Sequence, residues 1–314
     1  MTPVDAGLDV GATHVRAAVS RGDDVAGHAR RSTPTGDAET LLATVRTVLA
    51  DACEQAGVSV ADIDRTGIGS LGPLDLDAGA IVDPPNLPGV DRVPLVAAVE
   101  DATGGAVRLF NDGTAGALGA AAAAPDPPEN LVYVTISTGL GAGALVDGHL
   151  LVGERGNAAE VGHLTLDPDS ALRCGCGGTG HWEAFCSGAN VPDFARHLAD
   201  ETGLGTDLAL SDLTAREVFD AAGEDPLATR TVAEIGRYNA LGVAAVVHAY
   251  DPADVVLGGG VAVPNPDAIC APIRERLPEL VVGEAPPVRV TDLGDEVVVR
   301  GALAGARRAA ASGD

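Results

Sequence analysis

Along this chain of 314 residues, short apolar and β-branched runs alternate with longer Ala- and Leu-rich stretches, and glycine marks most of the changes. Residues 4–19 read as strand, tight glycine turn and strand, the run breaking at Gly11 and Thr13 where a hairpin should turn. Residues 131–146 repeat that design, with Ser137-Thr138-Gly139 at the turn and Gly141 and Gly143 in the returning strand. Residues 37–56 have the pattern of a helix, with Asp37 in the N-cap position and Gly57 just past the end. Strand-like runs follow at 66–69 and 106–110, after which Asn111-Asp112-Gly113 turns the chain into an Ala-rich helix through about Ala124. Pro125-Asp126-Pro127-Pro128 is a clear break. In the second half, residues 226–249 predict one long helix, residues 254–257 a short strand ending in Gly258-Gly259-Gly260, and residues 300–311 a closing helix. Alternating strands and helices predict α/β architecture, and the length favours two domains.

The two glycine hairpins carry the first chemical hint. Glycine lets a ligand approach the backbone closely, and free N–H groups with a threonine hydroxyl suit phosphate oxygens. One such turn is usually only a hairpin. Two of them predict a duplicated domain with a nucleotide held between the halves. In α/β folds ligands gather at the carboxyl ends of strands, which is where Asp9, Asp112, Thr138 and Gly258 fall.

The second hint is the stretch Glu160-Val-Gly-His163, ten residues, then Cys174-Gly-Cys176-Gly-Gly-Thr-Gly-His181-Trp-Glu183. It places His163, Cys174, Cys176 and His181 in one short loop, and thiolate with imidazole is the ligand set of tetrahedral zinc. Glu160 and Glu183 bracket the cluster although zinc does not need them. A metal staple holding polar side chains for another purpose fits that arrangement. Cys186 is an alternative ligand, though a small buried apolar role suits it better.

Composition excludes several classes. The net charge is −25, and all 20 cationic side chains are arginine. Such a surface repels nucleic acid and anionic membranes, and it fits a protein working in concentrated salt, where screening removes self-repulsion. No apolar run approaches a membrane span, and the first residues lack the features of a signal peptide. Five cysteines do not make a disulfide framework, so a reducing cytoplasm is the expected location.

The motifs Asp9-Val-Gly-Ala-Thr13, Asn111-Asp112, Ser137-Thr-Gly-Leu-Gly-Ala-Gly143, Glu160-Val-Gly-His163, Cys174-Gly-Cys176-Gly-Gly-Thr-Gly-His181-Trp-Glu183 and Leu257-Gly-Gly-Gly260 occur in that order. In this the chain resembles the ROK group (repressors, open reading frames, sugar kinases) of the actin/hexokinase-like ATPases. The resemblance implies a two-lobed, ribonuclease H-like fold with duplicated α/β domains and an interlobe cleft. A smaller lobe of residues 1–112, completed by a C-terminal helix over 299–314, would precede a larger lobe of residues 113–298 carrying the zinc loop.

It also implies ATP-dependent phosphorylation of a hexose at its primary hydroxyl, with glucose as the first choice of substrate. N-acetylmannosamine, N-acetylglucosamine and fructose are the alternatives, and a non-catalytic sugar-sensing regulator is a more distant one. Gly11, Thr13, Thr138, Gly139 and Gly141 would surround the phosphates, Asp9 would hold Mg²⁺ through water, and Gly259 and Gly260 would leave room for adenosine. Asp112 would be the catalytic base. Asn86, Asn111, Asp112, Glu160, His163 and Glu183 would hydrogen-bond the sugar, and structural Zn²⁺ would sit on His163, Cys174, Cys176 and His181. Assembly as a homodimer or higher homo-oligomer is implied as well. Four positions depart from the family pattern: His181 stands where a cysteine is usual, Ala12 where glycine is common, His14 where lysine is frequent, and Gly113 where alanine is common. DNA-binding relatives carry a winged helix ahead of the kinase-like part, and with the first phosphate loop beginning at about residue 9 of this sequence, a repressor of that kind is not expected.

Overall fold

The computed structural model describes residues 2–22 and 24–312. It divides into two compact units, one formed by residues 1–127, 150–158 and 296–314, the other by residues 128–149 and 159–295. The Pro125–Pro128 break falls at the junction. Relative to a boundary at residue 112, the first unit therefore also takes in the Ala-rich helix that follows. The last two residues of the expected closing helix, 313 and 314, lie outside the described residues.

In the first unit the chain forms β1 (Val4–Val10), β2 (His14–Arg21) and β3 (Asp24–Ser32), then α1 (Ala38–Ala56), β4 (Arg65–Ser70), and a small antiparallel sheet of β5 (Leu74–Asp75), β6 (Ala80–Val82) and β7 (Arg92–Val93). α2 (Leu95–Thr103), β8 (Ala106–Asn111) and α3 (Asp112–Ala123) follow. The main sheet has the order β3-β2-β1-β4-β8, with an antiparallel hairpin at one side and parallel strands at the other. Asp37 accepts from Thr40 N–H at 2.9 Å and Gly57 closes α1 at φ 66°, as the local signals require. Leu41, Val45, Val48, Leu49 and Ala52 turn inward on one helical face.

The C-terminal helix (Val297–Ser312) lies against this sheet at backbone distance. A Cβ on Gly67 of β4 would come within 1.8 Å of the Ala302 carbonyl oxygen, and one on Gly301 within 1.7 Å of the Ala115 carbonyl oxygen in α3. No side chain fits at either contact, so α3 and the C-terminal helix dock as a closely packed pair. That packing places α3 with the first unit.

The second unit repeats the sheet. β9 (Leu131–Ile136), β10 (Leu140–Val146), β11 (His149–Leu150), β12 (Asp254–Gly258) and β13 (Val288–Val290) are ordered β11-β10-β9-β12-β13. β9 and β10 form the antiparallel hairpin, while β12 runs parallel to both β9 and β13. Strand for strand this is the arrangement of the first unit, as the repeated hairpins predict. Its helices are α4 (Trp182–Cys186), α5 (Val191–Thr202), α6 (Ala215–Ala221), α7 (Pro226–Tyr250), α8 (Gly259–Ala262) and α9 (Pro266–Leu280). α7 starts at an Asp225 cap with Pro226 in the first turn. It buries Leu227, Ile235, Tyr238, Val243 and Val246.

Candidate active site

In the first unit β1, β4 and β8 are parallel, so Val10, Ser70 and Asn111 stand in register along one edge. One residue inside that edge, the Asp9 side chain is only 8 % exposed and accepts from Arg16 Nη1 at 2.9 Å. The hairpin register sets Arg16 directly opposite Asp9. A carboxylate so enclosed needs a partner of this kind. The turn that follows is fixed from the end of β3: Thr33 Oγ1 donates to the Gly11 carbonyl at 2.7 Å, and Thr33 N–H donates to the Thr13 carbonyl at 2.9 Å. Thr13 itself is exposed. At the end of β8, Asn111 caps α3, its Oδ1 accepting from Gly113 N–H at 3.0 Å. Asp112 is the first helical residue, and its Oδ1 accepts from the same N–H at 2.7 Å. The cap is thus the asparagine, and the aspartate stands at the strand-to-helix step. Asn86 is exposed on the turn between β6 and β7.

The second unit gathers the other candidate phosphate and adenosine residues. The Ser137–Gly139 turn is gripped by the segment after α4, where Gly188 N–H donates to the Ser137 carbonyl at 2.7 Å and Ala189 N–H to the Thr138 carbonyl at 3.1 Å. Thr138 is exposed. Gly259 follows β12 at φ 92°, where a Cβ would meet the Ile136 carbonyl oxygen at 2.5 Å and Thr135 Oγ1 at 2.7 Å. Only glycine allows that crossing, which brings Gly260 beside Ser137. The phosphate turn and the glycine turn are therefore neighbours.

The metal-ligand set is assembled in the same unit. One donor atom from each of His163, Cys174, Cys176 and His181 lies within 4.8 Å of the others. Cys174 Sγ is 3.5 Å from His163 Nδ1, and Cys176 Sγ is 3.3 Å from His181 Nδ1. Tetrahedral zinc with two thiolates and two imidazoles spaces its donors about 3.3–3.8 Å apart, so these residues fit zinc after a small contraction. His181 joins the set in the place where cysteine is usual. Burial pushes the Cys174 thiol up to about 12, an effect that neighbouring Glu183 adds to. Metal binding here would therefore have to displace a proton. Cys186 is fully buried, with Sγ 3.6 Å from the Ile235 carbonyl oxygen, and belongs to the core.

The two carboxylates flank the cluster differently. His163 turns Nε2 toward Glu160, 3.8 Å from Oε2. Glu160 retains 43 % side-chain exposure, yet desolvation raises its pKa, with Glu183 adding and His163 opposing. Glu183 lies deeper, and its Oε2 accepts from Leu140 N–H at 2.9 Å. α4, which carries Glu183, is pinned to α7: Trp182 Nε1 donates to Asn239 Oδ1 at 2.8 Å, and the Phe185 and Tyr238 rings stack at 3.7 Å. The Tyr238 hydroxyl also donates to Asp167 Oδ2 at 2.9 Å within the cysteine loop. α7 thus braces both the loop and the carboxylate helix.

The candidate residues accordingly form two groups. Asp9, Gly11, Thr13, Asn111 and Asp112 line one edge of the first unit. Thr138, Gly139, Gly141, Glu160, His163, Glu183, Gly259 and Gly260 belong to the second. Sequence reasoning missed Arg16, Thr33, Tyr238 and Asn239. Counting across the first hairpin pairs residue 9 with residue 16 and would have found Arg16. The others arrive from distant elements and leave no local signal.

The family model of the ROK family matches residues 5–309. A glucokinase from Aeropyrum pernix is 38% identical, covering 96% of this chain and 96% of that protein. Among solved structures, a ROK hexokinase from Thermus thermophilus superposes with a TM-score of 0.83 at 35% identity, covering 98% of this chain and 99% of that one. A ROK family glucokinase from Streptomyces griseus, in complex with glucose and AMPPNP, gives a TM-score of 0.79 at 29% identity, covering 97% and 99%. This chain belongs to the ROK family.

Proposed function

We propose that the chain is an ATP-dependent hexokinase whose principal substrate is glucose, phosphorylated at its primary hydroxyl. The observation that carries the reading is the glucokinase similarity along nearly the whole chain, joined to a carboxylate, Asp112, at the carboxyl end of β8. The primary hydroxyl oxygen attacks the γ-phosphorus while the bond to the β–γ bridging oxygen breaks, and Asp112 takes the hydroxyl proton. Such transfer asks the protein mainly for positioning and charge stabilisation. Exposed Thr13 and Thr138, with the backbone of Gly139 and Gly141, supply phosphate donors, while Gly11, whose N–H donates to the His14 carbonyl at 3.0 Å, serves by letting the phosphates approach the turn closely. Asp9 is the carboxylate suited to hold Mg²⁺, which neutralises phosphate charge when bound. Asn111, Asp112, Glu160, His163 and Glu183 hold the sugar hydroxyls, and Asn86 contributes from its exposed turn.

His163 fits a double role, with Nδ1 on the metal side and Nε2 on the sugar side. Zinc on two sulfurs and two nitrogens has no open position, so it fixes geometry and takes no chemical step. Metal analysis of the purified protein should find about one zinc per chain, and His181→Ala should lower that occupancy. Full occupancy in the variant would remove His181 from the ligand set.

The acidic surface suits work in concentrated salt, and no helix among the described residues is long and apolar enough to cross a membrane. The free cysteines suit a reducing cytoplasm, and by family resemblance we assign a homodimer or higher homo-oligomer. Turnover with Mg-ATP in molar KCl, measured against glucose, fructose, N-acetylmannosamine and N-acetylglucosamine, should be fastest on glucose. Turnover of none would sink the kinase reading. Preference for an N-acetylated sugar would move the assignment to that substrate.

A further inference from the structure

Glu183 touches more than a sugar ligand needs to. Its Oε1 lies 3.1 Å from Cys174 Sγ in the metal-ligand set, and its Oε2 accepts from Leu140 N–H at 2.9 Å. Leu140 is the first residue of β10, directly after the phosphate turn, so one carboxylate spans from the cysteine loop to the nucleotide hairpin. Gly139 leaves room for it: a Cβ there would come 2.9 Å from Glu183 Oε2. The segment directly after α4 grips the turn through Gly188 and Ala189 N–H groups. Residues 183–189 therefore hold Ser137–Leu140 at three backbone positions, and α4 is itself fixed to α7 through Trp182 and Phe185.

We infer that Glu183 is a positioning residue for the nucleotide-phosphate hairpin and couples sugar binding to nucleotide binding. The inference rests on the kinase reading above. A sugar hydroxyl drawn to Glu183 orders the carboxylate that orders the Leu140 N–H and the turn before it, and a nucleotide on that turn orders the carboxylate in return. Coupling between binding sites is reciprocal, so each ligand tightens the other by the same factor.

The test is calorimetric titration of the full chain with Mg-AMPPNP and with glucose, each alone and again with the other ligand saturating. In the wild type each should tighten the other by the same factor, and affinities that do not change would overturn the coupling. Glu183→Ala should weaken both ligands, nucleotide by about tenfold or more, the value of one hydrogen bond to a charged acceptor. Glu183→Gln keeps an oxygen able to accept from Leu140 N–H, so it should restore nucleotide affinity while glucose remains weak. Gly139→Ala leaves the Glu183 side chain in place but crowds its carboxylate from the hairpin side, and should weaken glucose by about fivefold or more. Loss of glucose binding in Glu183→Ala with nucleotide affinity unchanged would overturn the inference and leave Glu183 as a sugar ligand alone. If Glu183→Ala does not fold, Gly139→Ala decides, and unchanged glucose affinity there overturns it. Wild-type protein that binds neither ligand fails the kinase reading, and that result appears before any variant is compared.

Discussion

Replacing Asp112 with asparagine is expected to lower kcat for glucose by about 10²–10⁴-fold, the usual worth of a positioned general base. Glucose binding, read by calorimetry, should change far less. The substitution is chosen because the local structure survives it. The α3 cap is made by Asn111 Oδ1, and the residue at 112 accepts from Gly113 N–H through an oxygen that asparagine also has. What asparagine lacks is the capacity to take a proton. A drop in kcat with little change in glucose affinity therefore isolates proton transfer from folding and from sugar binding. A fall of less than tenfold in kcat would remove Asp112 from the role of base, since the hydroxyl would then be losing its proton elsewhere.

The duplication was legible because both hairpins break at glycine and threonine between β-branched runs, and the matching strand orders bear it out. α1 and α7 were legible as well, since each carries its start signal in sequence, Asp37 for one and Asp225-Pro226 for the other. α9 was not. It contains Pro272 and Pro278, which read as breaks. Pro272 survives because its ring packs against Gly236 of α7, where a Cβ would approach Pro272 Cγ to 2.6 Å. That compensation is tertiary and has no local trace. β5, β6 and β7 escaped for another reason, being two or three residues each, too short for a period of two to register.

Site chemistry divided in the same way. The ligand set His163, Cys174, Cys176 and His181 sits in one loop, so spacing alone brought it forward, and the fold gathers its donor atoms. The supports of the site come from far along the chain. Tyr238 reaches Asp167, Asn239 reaches Trp182, and Thr33 reaches back to Gly11. Residues that act by holding other residues have no characteristic spacing, and only folding reveals them.

The largest expected effect on stability is at Asp5, where alanine should cost about 3 kcal/mol, read by urea denaturation at constant KCl. The Asp5 side chain is 1 % exposed in the middle sheet strand β1. Arg65 holds it with both branches, Nε to Oδ1 at 2.7 Å and Nη2 to Oδ2 at 3.0 Å, while Arg307 Nε donates to Oδ2 at 3.0 Å. Arg307 comes from the C-terminal helix, and also donates to Ser20 Oγ and the Gly22 carbonyl. One carboxylate thus joins β1, β4 and the end of the chain. Removing it leaves two guanidinium groups facing one another without their shared anion, which is worse than losing a hydrogen bond. Each arginine keeps roughly a quarter of its exposure, so water recovers part of the loss, and the estimate sits at the lower end of the range for broken buried pairs. Arg307→Ala should cost less, about 1 kcal/mol, because Asp5 keeps the bidentate Arg65. Equal costs for the two variants would mean that the carboxylate contributes only through the C-terminal helix. Hydrogen exchange separates these cases: Arg307→Ala should speed exchange in the C-terminal helix alone, whereas Asp5→Ala should speed it in β1 and β4 as well.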